Sequence, residues 1–384
     1  MRIGFDAKRL FCNFTGLGNY SRNNIVALRD QFPENDYVLF TPRMRINEVT
    51  RPFTEMKGVE VKLPETMLKG GLWRTCLLSG VLSHEHIDLF HGLSHELPLG
   101  IGRSGVASVV TIHDVAFKTF PQMYHWYDRQ IYDIKMRYAC HHADRIVAIS
   151  ESTKRDVMRF YGVDEAKIDV VYQPVQDLYY HPLSNDEALA SVKQFVPSFP
   201  QEFMLYVGSV NSRKNLLGIV KAMERIPVES CLPLVIVGNG REYRQEVERY
   251  IDGHGLAKRF IWLSNLKDNK QLQALYTLAS VFLYPSFYEG FGLPVVEALL
   301  SGCPVVTSNV SSLPEAGGTA ALIVDPGKVE DIALAIKTVL SWTPEQREEK
   351  LREGREYALR MFHPQGIARQ LIDVYQRALS SHRS

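Results

Sequence analysis

Short apolar runs alternate with amphipathic stretches along this chain, in two separate series. The first opens with "RIGFDA", and "TGLGNYSRNNIVALRD" then reads as a glycine turn feeding a helix with Ile25, Val26 and Leu28 on one side. "DYVLFT" is a strand, "IDLFHG", "ASVVTIHD" and "ADRIVAIS" are apolar runs ending in polar residues, and "ESTKRDVMRFYG" is a helix closed by Gly162. "IDVVYQP" ends the series, and a polar, proline-bearing stretch fills residues 176 to 201. The pattern then restarts: strands "FMLYVGS", "LPLVIVGNG", "RFIWLSN", "SVFLYPS" and "PVVTSN" alternate with helices such as "KNLLGIVKAMERI" and "NKQLQALYTLA". Apolar strands separated by helices predict parallel sheets covered on both faces. Two series predict an α/β protein of two doubly wound domains with a cleft between them. A length of 384 residues agrees, being too great for one core in most architectures. In such sheets ligands bind beyond the carboxyl ends of the strands, so the polar residues there are the candidates for chemistry.

Composition removes several classes of function. A net charge of +1 gives no electrostatic reason to expect nucleic acid as a partner. The five cysteines (Cys12, Cys76, Cys140, Cys231 and Cys303) are scattered and odd in number, as expected for reduced thiols of a cytoplasmic enzyme. "MRIGFDAKRL" is not followed by the apolar core of a signal peptide, and no run is long enough to span a bilayer. Peripheral attachment to an inner membrane stays open.

Five motifs lie at strand ends. "GLGNYS" approaches the dinucleotide fingerprint, but Ser21 stands where its third glycine belongs. Gly16 and Gly18 still let backbone approach a ligand, and the helix start favours an anion; a plain strand-to-helix turn is the bland alternative. "TIHDV" puts His113 and Asp114 after a strand, where a structural and a ligand-facing histidine are both open. "HGLSH" spaces His91 and His95 four apart, but no carboxylate or cysteine completes a metal set. "GSVNSRKN" brings Arg213 and Lys214 to a helix start, where cations oppose the dipole. Two solvated surface residues would explain this, and so would a bound anion.

The fifth, "YEGFGLPVVEALLSGCPVV" at residues 288 to 306, follows a strand. Glu289 sits on a loop kept thin by Gly290 and Gly292, Pro294 suits the first turn of a helix, and Glu297 lies just inside it. Exposed amides there can bind phosphate or sugar oxygens, and the carboxylates accept hydrogen bonds from hydroxyls. A nucleotide sugar has phosphates in the middle and hydroxyls at both ends. No Walker A sequence and no D-x-D pair occurs. Metal is therefore not expected, and Arg213, Lys214 and helix dipoles would neutralise a diphosphate.

With these motifs in this order, together with "SNVSSLPEAGGTAALIVDP", the sequence resembles the retaining glycosyltransferases of family 4 (glycosyl transferases group 1), in particular their mannosyltransferase-like members. The resemblance implies the GT-B architecture, two Rossmann-like domains facing a central cleft. It places an acceptor domain at residues 1–175, with the C-terminal helix 364–384 packing back on it, and a nucleotide-sugar donor domain at 176–363. It implies that Glu289 holds hydroxyls of the transferred sugar and Glu297 the ribose. Arg213 and Lys214 would neutralise the diphosphate with the amides of Gly290, Phe291, Gly292 and Leu293. Gly16 and Gly18 would bring a loop to the phosphates, His113 would lie beside the donor sugar, and Asn265 and Leu266 would pack the base. Two departures stand out. Ser209 replaces an arginine common in relatives, and the usual Asn-Gly-Val linker reads "QPV".

The activity implied is transfer of a hexose, mannose first, with retention, from GDP-mannose or a UDP-sugar to a saccharide or lipid-linked saccharide in polysaccharide or lipopolysaccharide assembly, without cofactor. The alternatives are an epimerase or hydrolase of a nucleotide sugar, and a non-catalytic sensor of one. The stretch "LPETMLKGGLWRTCLLSGVL" (63 to 82) mixes Lys69 and Arg74 with apolar residues, which suits a membrane surface or an ordinary amphipathic core helix.

Overall fold

The computed structural model describes residues 1–65, 70–196, 199–263, 266 and 268–383. The chain divides into two compact units, Met1–Pro174 with Phe362–Ser384, and Val175–Met361.

The first unit holds a seven-stranded parallel sheet in the order β3-β2-β1-β4-β5-β6-β7. Its strands are β1 (Arg2–Asp6), β2 (Asp36–Phe40), β3 (Val59–Lys62), β4 (Leu89–Gly92), β5 (Ala107–Ile112), β6 (Arg145–Ala148) and β7 (Ile168–Val170). Every residue of β5 is buried, as a strand covered on both faces requires. Strand β3, "VEVK", is a half-exposed edge strand. Its alternating charges hide it from a search for apolar runs. Helix Gly16–Gln31 starts at the first glycine of "GLGNYS", so both glycines are helical and do not form a preceding turn. The last helix, Pro364–Arg383, packs on helix Gly16–Gln31 and on strands β4, β5 and β6, and Tyr375 reaches the ring of His91.

Within the stretch 63–82, residues 66–69, Lys69 among them, lie outside the described residues. Trp73, Leu78 and Leu82 enter the core, and Arg74 is buried with them. The described part of this stretch is therefore built as core packing, with Leu72 pointing outward.

The second unit holds a six-stranded parallel sheet in the order β10-β9-β8-β11-β12-β13. Its strands are β8 (Met204–Val207), β9 (Leu234–Val237), β10 (Phe260–Leu263), β11 (Val281–Tyr284), β12 (Val305–Ser308) and β13 (Leu322–Val324). The polar stretch before β8 contains helix Asn185–Phe195, started by a capping box in which Ser184 and Glu187 exchange hydrogen bonds. Both sheets reverse their strand order once, between β1 and β4 and between β8 and β11. Loops that leave a sheet in opposite directions open a crevice at such a point, where ligands of doubly wound sheets bind.

Candidate active site

In the second unit the loops after β8 and β11 meet. After β8 the chain makes a short 3₁₀ turn, Ser212–Lys214, started by the side chain of Asn211, and Asn215 in the left-handed region then opens helix Leu216–Glu224. Asn215 is locked by donating to the carbonyls of Pro285 and Pro326, at 3.1 and 2.8 Å. This turn delivers Arg213 and Lys214 to Glu289. Arg213 Nη1 lies 2.9 Å from Glu289 Oε2, and Lys214 Nζ lies 2.8 Å from Oε1. Lys214 Nζ also donates to the Tyr284 hydroxyl, which donates to Glu289 Oε1 at 3.0 Å. The main chain ties the same loops together, as Phe287 N donates to Arg213 O at 2.8 Å and Arg213 Nη1 reaches Tyr288 O.

Serines of "SNVSSLPEAGG" clamp the far side of the glutamate loop. Glu289 N donates to Ser311 Oγ at 3.0 Å, and Ser312 Oγ donates to the carbonyls of Glu289 and Phe291. Gly292, at φ +115°, turns the chain into helix Leu293–Leu300, and a Cβ there would lie 2.8 Å from Leu313. Glu297, on that helix, does not join the triad. Its carboxylate accepts from Tyr276 at 3.4 Å and from Tyr179. Asn265 lies outside the described residues, and Leu266 follows β10 half-buried.

In the first unit, His113 is buried at the end of β5. Its Nε2 donates to Leu93 O at 2.8 Å, and its ring meets Tyr20 of helix Gly16–Gln31 edge-on at 4.5 Å. The motifs "TIHDV" and "GLGNYS" are thus brought together. A Cβ on Gly16 would touch nothing within 4 Å, whereas one on Gly18 would lie 1.8 Å from Asn13 O. Packing alone demands the second glycine. His91 is held between Tyr375 and Thr111, at 2.8 Å from each hydroxyl.

Comparison with known proteins gives the family. Residues 16–177 match the family described as Glycosyltransferase Family 4, and residues 190–357 match Glycosyl transferases group 1. O-antigen chain mannosyltransferase B of Escherichia coli is 32% identical over 276 residues, 70% of each chain. The chain belongs to glycosyltransferase family 4. This glycosyltransferase is also 29% identical to the serotype-specific mannosyltransferase WbdA of Escherichia coli over 202 residues, 52% of its own length and 25% of that longer protein. Its fold matches Anabaena Alr3699/HepE, solved in complex with UDP and glucose, with a TM-score of 0.72 at 17% identity, covering 98% of this chain and 99% of that one.

Electrostatics sets the glycosyltransferase's candidate groups apart. Burial pushes the Glu289 carboxyl up, but Lys214 and Arg213 outweigh it and hold the group at about 2. Burial lowers the Lys214 ammonium, and Glu289 opposes this. Two cations against one carboxylate leave the triad one positive charge in excess. No cation among the described residues offsets the burial of Glu297, which raises its carboxyl to about 7 against the two tyrosine hydroxyls. Burial, aided by the neighbouring His95, lowers His113 to about 3, so its imidazole is neutral. Sequence reasoning missed Tyr284, Tyr276 and Tyr179, because a tyrosine in an apolar segment gives no sign that its hydroxyl will reach a carboxylate. Ser311 and Ser312 stood in a quoted motif, yet only the fold shows that they grip the Glu289 loop.

Proposed function

We propose that the chain transfers a hexosyl group, mannosyl first, from a nucleoside-diphosphate sugar to a saccharide or lipid-linked saccharide in polysaccharide or lipopolysaccharide assembly, with retention of configuration and without a metal ion. The observation that carries this reading is the Arg213–Lys214–Glu289 triad at the switch point of the second sheet. Its surplus positive charge suits a diphosphate, and its carboxylate suits sugar hydroxyls. The second unit is then the donor domain and the first the acceptor domain. Mannose and surface polysaccharide are suggested by the names of the O-antigen and serotype-specific relatives.

Arg213 and Lys214 would hold the diphosphate, Glu289 the hydroxyls of the transferred sugar and Glu297 the ribose. Gly16 and the loop from Gly290 to Leu293 would approach the phosphates, and neutral His113 the sugar. In the transfer, the acceptor oxygen bonds to the anomeric carbon on the face from which the diphosphate departs. The carbon–oxygen bond to the diphosphate breaks with its electron pair, and a donor phosphate oxygen takes the acceptor proton. Positive charge already in place lowers the barrier without reorganisation.

The test incubates the enzyme with GDP-mannose, UDP-glucose and UDP-N-acetylglucosamine in parallel, with free and lipid-linked oligosaccharides, with and without EDTA. The expected outcome is an α-mannosylated product from GDP-mannose, undiminished by EDTA. Transfer from a UDP-sugar alone overturns the donor, and full loss on chelation restored by one divalent ion overturns metal independence. Release of free sugar without transfer to any acceptor favours a hydrolase.

A further inference from the structure

Helix Trp126–His142 of the first unit carries apolar side chains on two faces. The inner face puts Met136, Ala139 and Cys140 into the core. The outer face carries a second row, Tyr127, Ile131, Ile134, Tyr138 and His141, whose successive spacings are four, three, four and three residues. Tyr127 and Ile131 are each 48% exposed and Ile134 is 67% exposed, while Tyr138 is half-buried and His141 exposed. Apolar side chains scattered singly over a surface need no explanation. A row that recurs every 3.5 residues does, because that spacing keeps one line of side chains against a second helix, as in a coiled coil. The row is also held in place. The Tyr138 hydroxyl donates to Pro98 O at 3.3 Å and accepts from Gly100 N at 2.7 Å, its ring stacks on His142 at 4.0 Å, and Tyr127 stacks on His125 at 5.2 Å.

The order of residues in the row narrows its partner. Tyr127, Ile134 and His141 take one of the two seam positions of a heptad, and Ile131 and Tyr138 take the other. Laid antiparallel on a second copy of itself, the row sets Ile131 against Ile134 and Tyr127 against Tyr138, each layer occurring twice by symmetry. The flanks of the row choose the direction. Asp128 and Lys135 lie along one flank, and Gln130 and Arg137 along the other. Antiparallel pairing brings Asp128 of each copy to Lys135 of the other, and Gln130 to Arg137. Parallel pairing brings Gln130 to Lys135 and Arg137 to His142, with no carboxylate opposite a cation. Lys135 reaches Glu96 at 3.2 Å yet keeps 38% of its side chain exposed, so a second carboxylate has access to it. A bilayer surface fits the row less well. The row is one side chain wide and bordered by Asp128 and Gln130, whereas a helix lying in a membrane surface buries a broad apolar face.

We propose that the partner of this row is the same row on a second copy of the chain, the two helices lying antiparallel about a two-fold axis. Such an interface is self-complementary and closes on itself, so it makes dimers and no larger assembly. A seam of two heptads is smaller than a standard interface, so the association is weak and depends on concentration. The proposal goes beyond the transferase reading and does not depend on it.

Sedimentation velocity of the full chain through the micromolar range tests it. The wild type should pass from one copy to two as concentration rises. Ile134→Glu, which puts a carboxylate into both isoleucine layers, should stay single at every concentration with the melting curve of the wild-type monomer, because the site is exposed. Asp128→Lys and Lys135→Asp each set like charges against each other twice and should weaken association about tenfold or more. Mixed in equal amounts, these two variants should pair again, since every flank contact is then Lys against Asp. A merely structural lesion would not be rescued by mixing, and a parallel pair would not respond, because it never sets position 128 against 135. A wild type that stays single throughout, a dimer that Ile134→Glu leaves intact, or charge variants that gain nothing on mixing overturns the proposal. So does flotation with anionic vesicles that Ile134→Glu abolishes in a chain that is single in solution, which gives the face to a bilayer.

Discussion

Glu289 carries two cations, and this changes what its removal does. Read from sequence, it is a glutamate on a thin glycine loop. In the structure, Glu289→Ala strands Lys214 and Arg213, whose side chains are 10% and 19% exposed. Removing one partner of a nearly buried ion pair is destabilising, because the remaining charge is uncompensated. Turnover should fall about 30- to 1000-fold, from roughly 2–4 kcal/mol of lost transition-state contact. The melting temperature should fall too, and GDP should restore it by more than it raises the wild type, since a diphosphate replaces the missing charge. Parallel kinetics and thermal-shift curves check both; normal activity with every donor removes Glu289 from the site. The other glutamate is raised toward neutrality by burial. Glu289, held at about 2, stays ionised from pH 5 to 8, and its stabilisation is lost only as pH falls from its ordinary 4.5 toward 2. Glu297 has the opposite sign: its folded-state value, raised to about 7, favours the fold below 4.5, and this is lost as pH rises through 7. In the proposed ribose-binding role, the ionised form of Glu297 is the one that would accept from both ribose hydroxyls. Nucleotide affinity should therefore fall as pH drops through 7, and Glu297→Gln should flatten that dependence while raising stability at pH 8. Isothermal titration at several pH values and melting curves of both proteins decide it.

At the scale of elements, the first helix shows how two glycines in one motif serve different ends. Gly16→Ala meets open space, and an alanine in the first turn is as good a helix former as any. Gly18→Ala drives a methyl into Asn13 O, which must shift because both atoms belong to backbone or stem directly from it. Overpacking of this kind costs roughly 1–3 kcal/mol. Urea unfolding should thus show a lowered midpoint for Gly18→Ala and an unchanged or raised one for Gly16→Ala. If the two variants behave alike, the close approach at Gly18 is not what requires its glycine. The sequence could supply the motif but not this distinction, because Asn13 comes near Gly18 only through the turn that joins helix Lys8–Cys12 to helix Gly16–Gln31. Strand β3 failed to show for a related reason. It borders only one neighbour and is half-exposed, so its charges carry no penalty and its apolar signal is diluted.

For the whole molecule, the chain end is part of the first unit. Helix Pro364–Arg383 buries Leu371, Val374, Tyr375 and Ala378, and Tyr375 holds His91, which burial lowers to about 3 and keeps neutral. A chain ending at Phe362 would expose these contacts and leave a buried imidazole nitrogen without its partner, which costs about 1–3 kcal/mol before any loss of apolar burial. Circular dichroism should show the first unit's melting transition lowered or lost, while the second unit, which contains none of these residues, keeps its own. A single unchanged transition would mean that the helix is dispensable.

What the sequence determined by itself was whatever local pattern encodes. Apolar runs of strand length separated by helices dictate parallel sheets, because strands buried on both faces must be apolar throughout. Glycine, proline and glutamate spaced within "EGFGLPVVE" mark a loop entering a helix, because each fits its place in that turn for its own backbone reason. What only the tertiary structure decided was partnership across distance. Lys214 and Glu289 are 75 residues apart, and Arg74 and Asp6 are 68 apart. Nothing along the chain distinguishes a cation that will neutralise a carboxylate in a crevice from one that solvent will surround. Strand order makes that choice: by placing β8 beside β11 and β1 beside β4, it brings remote loops together where burial makes their charges interact strongly.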